Sequence, residues 1–117
     1  MPMKFIRLLA ALAPAVVLTF NQGAALAASP EKGKAAYLKN GCWQCHGFAA
    51  QGGTAGPKLA PDPKPVEVFS VFVRNTSGSM PPYPAAILSN EDLADIHAYL
   101  RTIPKPADYR NIPLLNQ

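Results

Sequence analysis

Cys42-Trp43-Gln44-Cys45-His46 constrains this chain more than any other stretch, because it dictates what the remaining residues must enclose. On one helical turn Cys42 and Cys45 are three residues apart and share a face. His46 follows directly. A C-x-x-C-H run of this kind is a sequence signal for covalent attachment of c-type haem. The two thiols form thioethers to the vinyl groups on one porphyrin edge, and the imidazole approaches the iron from one side. Other chemistries ask for more than the chain offers. A thioredoxin-like dithiol expects a βαβ pattern around it, and a structural zinc site usually takes four ligands. Outside the motif there is no third Cys and only one other His, His97. A plain disulfide would not need a histidine directly behind it.

The first residues read as a secretory signal peptide. Lys4 and Arg7 form a basic n-region, Leu8 to Phe20 an apolar run of 13 residues, and Ala25-Leu26-Ala27 a small-x-small cleavage site. The competing reading is an uncleaved anchor, but a bilayer span needs about 20 apolar residues, and this run is interrupted by Pro14. Cleavage after Ala27 leaves 90 residues starting at Ala28. The expectation is therefore a leader over 1–27, an exported periplasmic protein and no permanent membrane span. Export fits the cysteines: they must be reduced when haem is ligated, in a compartment where disulfides otherwise form. The finished protein is expected to carry thioethers, with neither disulfide nor free thiol.

The formal charge of +4 overstates the basic character. Without Lys4 and Arg7, nine Lys/Arg face seven Asp/Glu, and haem propionates would lower the balance further. No basic stripe with interleaved aromatics points to nucleic acid. Lys32, Lys34 and Lys39 fall on the first expected helix, where a lysine-bearing surface could steer an acidic partner. Glu91, Asp92 and Asp95 cluster near the start of the last. Ninety residues make one domain with a thin core, and a covalently held, largely apolar haem would supply the missing volume.

Ser29-Pro30-Glu31 opens a helix, with an N-cap, a proline at the first position and an acid in the first turn. The helix is expected from Pro30 to about Lys39, with Asn40-Gly41 as its exit. Gly33 and Tyr37 share a face, and the glycine permits close approach of another helix. Gly47 to Lys64 reads as a Gly/Pro-rich loop. From Pro65 to about Asn75 the valines favour a strand by propensity. Yet Val66, Phe69 and Val73 mark a helical face and a lone strand would have no partner, so a helix is expected. Thr76 to Leu88 is a second loop, stiffened by Pro81, Pro82 and Pro84. Ser89-Asn90-Glu91-Asp92 starts a last helix that runs to about Thr102, with Leu93, Ile96, Tyr99 or Leu100, and Ile103 as its stripe. Residues 105–117 read as an extended tail.

A haem iron with one histidine takes a sixth ligand or stays open to small molecules. Met1 and Met3 leave with the leader, so Met80 is the only methionine beyond it. It lies 34 residues after His46 in the proline-stiffened loop, and its thioether suits haem iron. His97, inside the last helix, is the weaker candidate.

Taken together these residues resemble a small bacterial class I (mono-haem) cytochrome c. The parts come in that family's order: Gly33 and Tyr37, Cys42 to His46, Gly56-Pro57-Lys58-Leu59, Met80-Pro81, then Ile96-His97-Ala98-Tyr99-Leu100. The resemblance implies an all-α, cytochrome c-like fold of three main helices and loops wrapped around one covalently bound haem c. The domain would span 28–104, with the first and last helices crossing at Gly33/Tyr37 and Ile96/Tyr99. It also implies that the Pro57 carbonyl accepts the Nδ1–H of His46 and that Leu59 packs on the porphyrin. The chain departs from the mitochondrial pattern in its short span from Pro57 to Met80. It also lacks a Trp near the propionates, where Arg74 and Tyr83 are the available polar groups.

A His46/Met80-ligated iron has no vacant site and changes charge by one electron with little rearrangement. The expected function is a periplasmic one-electron carrier, not an enzyme, passing electrons between a dehydrogenase or other donor and an oxidase or other cytochrome. Contacts of that kind use small transient interfaces, here near Cys42 to Gln44 and Met80 to Tyr83, with Trp43 either packing or part of that surface. The alternatives are a gas sensor or peroxidase-like enzyme with a labile Met80, or an obligate subunit of a dehydrogenase complex.

Overall fold

Ser29 begins the ordered fold by making two bonds at once. Its Oγ accepts from the Lys32 amide at 3.3 Å, capping α1 (Pro30–Lys39), and its own N–H donates to Asp95 Oδ1 at 2.6 Å. The second bond ties the start of α1 to α4 (Asn90–Thr102), so one residue sets both a helix boundary and a helix crossing. The computed structural model describes residues 27–116; the expected leader lies outside the described residues apart from Ala27. All regular structure among the described residues is helical.

The crossing of α1 on α4 is the principal contact in the fold. Gly33 sits at the crossing point, where a Cβ would overlap the Asp95 carbonyl. Tyr37 and Tyr99 pack there with ring centroids 5.7 Å apart. Leu93, Ile96, Tyr99 and Leu100 of α4 are buried, which is the stripe expected from their spacing. Ser89 caps α4 through its Oγ, which accepts from the Asp92 amide at 2.9 Å. One of the three acids in the first half of α4 is set apart from the other two. Asp95 is buried beneath Ser29 rather than joining an exposed acidic cluster, and only 3 % of it is exposed. Of the lysines on α1, Lys32 faces Glu91 across the surface at 3.5 Å.

Between these two helices lie a short α2 (Cys42–His46) and α3 (Val66–Asn75). Three main helices are thus joined by a fourth that carries the cysteines. The valine-rich segment is helical, and only Val73 of it is fully buried. Val68 and Phe72 face a cavity instead of a neighbouring strand. The loop after α2 folds back beneath it through Gly52 N–H to His46 O at 2.8 Å and Leu59 N–H to Ala50 O at 2.8 Å. The tail is not extended throughout. It forms two 3-10 turns, Tyr109–Asn111 and Pro113–Leu115. Asp108 caps the first, and the Asn116 side-chain amide donates to the Tyr109, Arg110 and Ile112 carbonyls. No helix among the described residues is long and apolar enough to cross a membrane.

Candidate functional site

Asn40 ends α1, and Gly41 turns the chain so that α2 starts almost immediately. That turn brings Cys42, Cys45 and His46 to one wall of a cavity of about 570 Å³. Cofactor sites run from roughly 300 to 1,000 Å³, so the space suits a bound group rather than a few waters. The remaining walls come from separate parts of the chain. Leu59 and Pro57 approach from the first loop, Val68, Phe69 and Phe72 from α3, and Met80 and Tyr83 from the second loop. The interior is predominantly apolar, and the charged side chains at it are Lys58, Asp62 and Lys64.

His46 is buried and oriented. The Pro57 carbonyl stands 2.7 Å from its Nδ1, which selects the tautomer with the proton on Nδ1 and leaves Nε2 as the free base nitrogen. A Cβ at Gly56 would come within 3.0 Å of the Cys45 carbonyl and 3.1 Å of the His46 ring. That residue therefore gives the imidazole its room. Burial pushes the Cys42 thiol above its ordinary value, with a backbone hydrogen bond offsetting part of the rise. Cys42 is half-buried and Cys45 is exposed, although both line the cavity. The two are not joined in a disulfide.

Every residue expected at the site lines this one cavity: Cys42, Cys45, His46, Pro57, Leu59 and Met80. Met80 is half-buried, and its carbonyl accepts from Thr76 Oγ1 at 3.0 Å. His97 lies elsewhere. Its Nε2 sits 2.8 Å from the Lys64 carbonyl and its ring leans on Phe69. Arg74 is a correction. Rather than being available to a propionate, its guanidinium donates to the Tyr83 and Leu88 carbonyls and to Asn90 Oδ1. Tyr83 donates its own hydroxyl to Asn40 O at 3.1 Å, and burial raises its phenol above the usual value. Lys58, inside the Gly56-to-Leu59 stretch, and Lys64 bring positive charge to the cavity, which no spacing in the sequence marks. Trp43 stacks on Phe48 with centroids 4.5 Å apart, and Phe48 is 64 % exposed. The pair is therefore both packed and part of the surface.

These residues fit a covalently held haem. Cys42, Cys45, the His46 imidazole with one nitrogen already bonded, and Met80 with its thioether line one predominantly apolar space. Among the described residues no group of three or more His, Cys, Asp or Glu side chains is placed to hold a metal ion by itself, which disfavours a zinc site. The absence of strands among them disfavours a thioredoxin-like unit.

Comparison with known proteins agrees. No curated protein and no solved structure matches the chain, whereas a family of c-type cytochrome domains matches residues 28–100. That span runs from the start of α1 almost to the end of α4 and contains every residue of the site. The chain belongs to the family described as cytochrome c oxidase, cbb3-type, subunit III, and is a small mono-haem class I cytochrome c.

Proposed function

We propose that this cytochrome is an exported one-electron carrier whose single haem iron is held between His46 and Met80. Haem c supplies a one-electron couple, and a methionine ligand raises its potential. The observation that carries the reading is the convergence of Met80, from the loop after α3, and His46, from α2, on the same cavity. The chain does the positioning. Cys42 and Cys45 anchor one edge, the Pro57 carbonyl holds the His46 ring, and Leu59, Phe69 and Phe72 exclude water. Were His46 and Met80 both to hold the iron, no position on it would remain for substrate. A peroxidase would need a distal acid/base group, and the engagement of His97 with the Lys64 carbonyl argues against it.

Exchange with redox proteins would occur over the exposed part of the motif, Gln44 and Cys45, and over Pro81 and Pro82 beside Met80. The donor and acceptor are of the dehydrogenase and oxidase or cytochrome classes. A second reading, an obligate subunit of an oxidase, is favoured by the family's description and by the exposure of Tyr109, Leu114 and Leu115 in the tail.

The test uses the holoprotein made in a host that matures c-type cytochromes. The ferric form is expected to show the weak red absorption of a sulfur–iron bond, and the ferrous form to ignore carbon monoxide. Met80→Ala should bind carbon monoxide readily and have a lower potential. An unchanged potential would dismiss Met80 as a ligand. Export is checked by the mass of the periplasmic protein, expected to begin at Ala28. Isolation only within a stable complex would favour the subunit reading.

A further inference from the structure

Arg74 stands in the last turn of α3, half-buried and outside the cavity lining. Its Nη1 donates to the Tyr83 carbonyl at 2.6 Å and to the Leu88 carbonyl at 2.7 Å, and its Nη2 to Asn90 Oδ1 at 2.7 Å. One guanidinium thus ties α3 to both ends of the 83–88 turn and to the first residue of α4. No carboxylate among the described residues pairs with it.

We propose that Arg74 is a positioning residue that holds the Met80 loop in place and thereby sets how firmly the sulfur stays on the iron; this rests on the reading of Met80 as a ligand. The physical reason lies in the loop's composition. Pro81, Pro82 and Pro84 have no amide hydrogens, so the segment cannot satisfy itself with turn after turn of internal bonds. It is held by side chains and by neighbouring elements. Thr76 bonds the Met80 carbonyl at 3.0 Å, the Tyr83 amide donates to Val73 O at 3.0 Å, and the Tyr83 hydroxyl reaches Asn40. Arg74 supplies the only charged donor in the set, and hydrogen bonds from a charged group are about twice as strong as neutral ones. A guanidinium presents its donors in a rigid fork. A lysine at this position cannot reach two carbonyls and an amide oxygen in the same geometry. Without the clamp, states in which the loop has moved off the iron become more populated, and any competing ligand gains by that fraction.

The measurement is a titration of the ferric holoprotein with imidazole, followed by loss of the red sulfur–iron absorption. Arg74→Ala is expected to bind imidazole about tenfold more tightly than the unaltered protein, and Arg74→Lys to fall between them. Asp95→Ala serves as a control, since it loosens the α1–α4 crossing without touching the loop. A role in general stability alone would lower the denaturation midpoint of both variants and leave both titrations unmoved. That result, with Arg74→Ala and Arg74→Lys within about twofold of the unaltered protein, overturns the proposal. Should Arg74→Ala not yield folded holoprotein, Arg74→Lys and Asn90→Ala carry the test, each expected to tighten imidazole binding several-fold; no change in either overturns it. If the unaltered protein itself lacks the red absorption, the reading of Met80 has failed and the clamp falls with it, a result distinct from retained absorption with an unmoved titration.

Discussion

Gly33 of α1 lies against the Asp95 carbonyl of α4 so closely that no side-chain carbon fits between them. The two helices that frame the cavity are therefore held at backbone contact, and Tyr37 and Ile96, which neighbour the crossing, also line the cavity. Gly33→Ala would force the helices apart although alanine is the better helix former. Overpacking of this kind costs about 3 kcal/mol, far more than the roughly 1 kcal/mol of helix propensity gained. The expected result is a much lower denaturant midpoint and a poor yield of holoprotein. A variant as stable as the original would mean the crossing is looser than described.

Gly56 governs the His46 side of the same cavity. Alanine there would press on the Cys45 carbonyl and the His46 ring, at 3.0 and 3.1 Å. The bond from His46 Nδ1 to the Pro57 carbonyl would lengthen. An imidazole that gives up less of its proton is a weaker electron donor, so the ferrous state gains relative to the ferric. Gly56→Ala is expected to raise the reduction potential by about 30 mV, equivalent to about 0.7 kcal/mol for one electron. Voltammetry decides it, and a fall in potential would refute the argument.

How much of this was readable beforehand follows from where each partner sits. The caps at Ser29 and Ser89, the stripe on α4 and the C-x-x-C-H turn are local signals, and each stands where its spacing put it. The segment from Val66 to Asn75 carries strand-forming valines, and its helix was inferred from the lack of a partner strand. Arg74 could not be read, because two of its acceptors are main-chain oxygens of Tyr83 and Leu88, which leave no mark in a sequence. The burial of Asp95 leaves no mark in the sequence for a similar reason. Its partner is the backbone amide of Ser29, 66 residues away, so an acid among acids gave no hint of burial.

The two cysteines should respond differently to removal. Each of Cys42→Ala and Cys45→Ala loses one thioether, and the pyridine haemochrome spectrum should shift in both. A two-thioether spectrum in either variant would sink the attachment scheme. Cys42 packs against the core whereas Cys45 is exposed. Truncation at Cys42 therefore leaves an internal gap, and its stability should fall by about 1 kcal/mol more than that of the Cys45 variant. Denaturant unfolding of the two holoproteins side by side measures the difference.

Tyr37 makes the protein sensitive to alkali. The residue is fully buried, and its hydroxyl donates to the Gly47 carbonyl at 2.7 Å, just past the end of α2. Burial, with Tyr99 nearby as a lesser cause, pushes its phenol well above the usual value. The sign follows from linkage: the folded state keeps a proton that the unfolded state releases near pH 10. The stabilisation is complete below that pH and is lost as the pH climbs toward the raised folded value. Between pH 10 and 11 the loss from this one group is about 1 kcal/mol. Tyr37→Phe removes that slope, while at neutral pH it costs about 1 kcal/mol for the missing hydrogen bond. Denaturant midpoints of both holoproteins at pH 8 and pH 11 should therefore converge as the pH rises. Parallel declines would show that Tyr37 takes no part in the alkaline response.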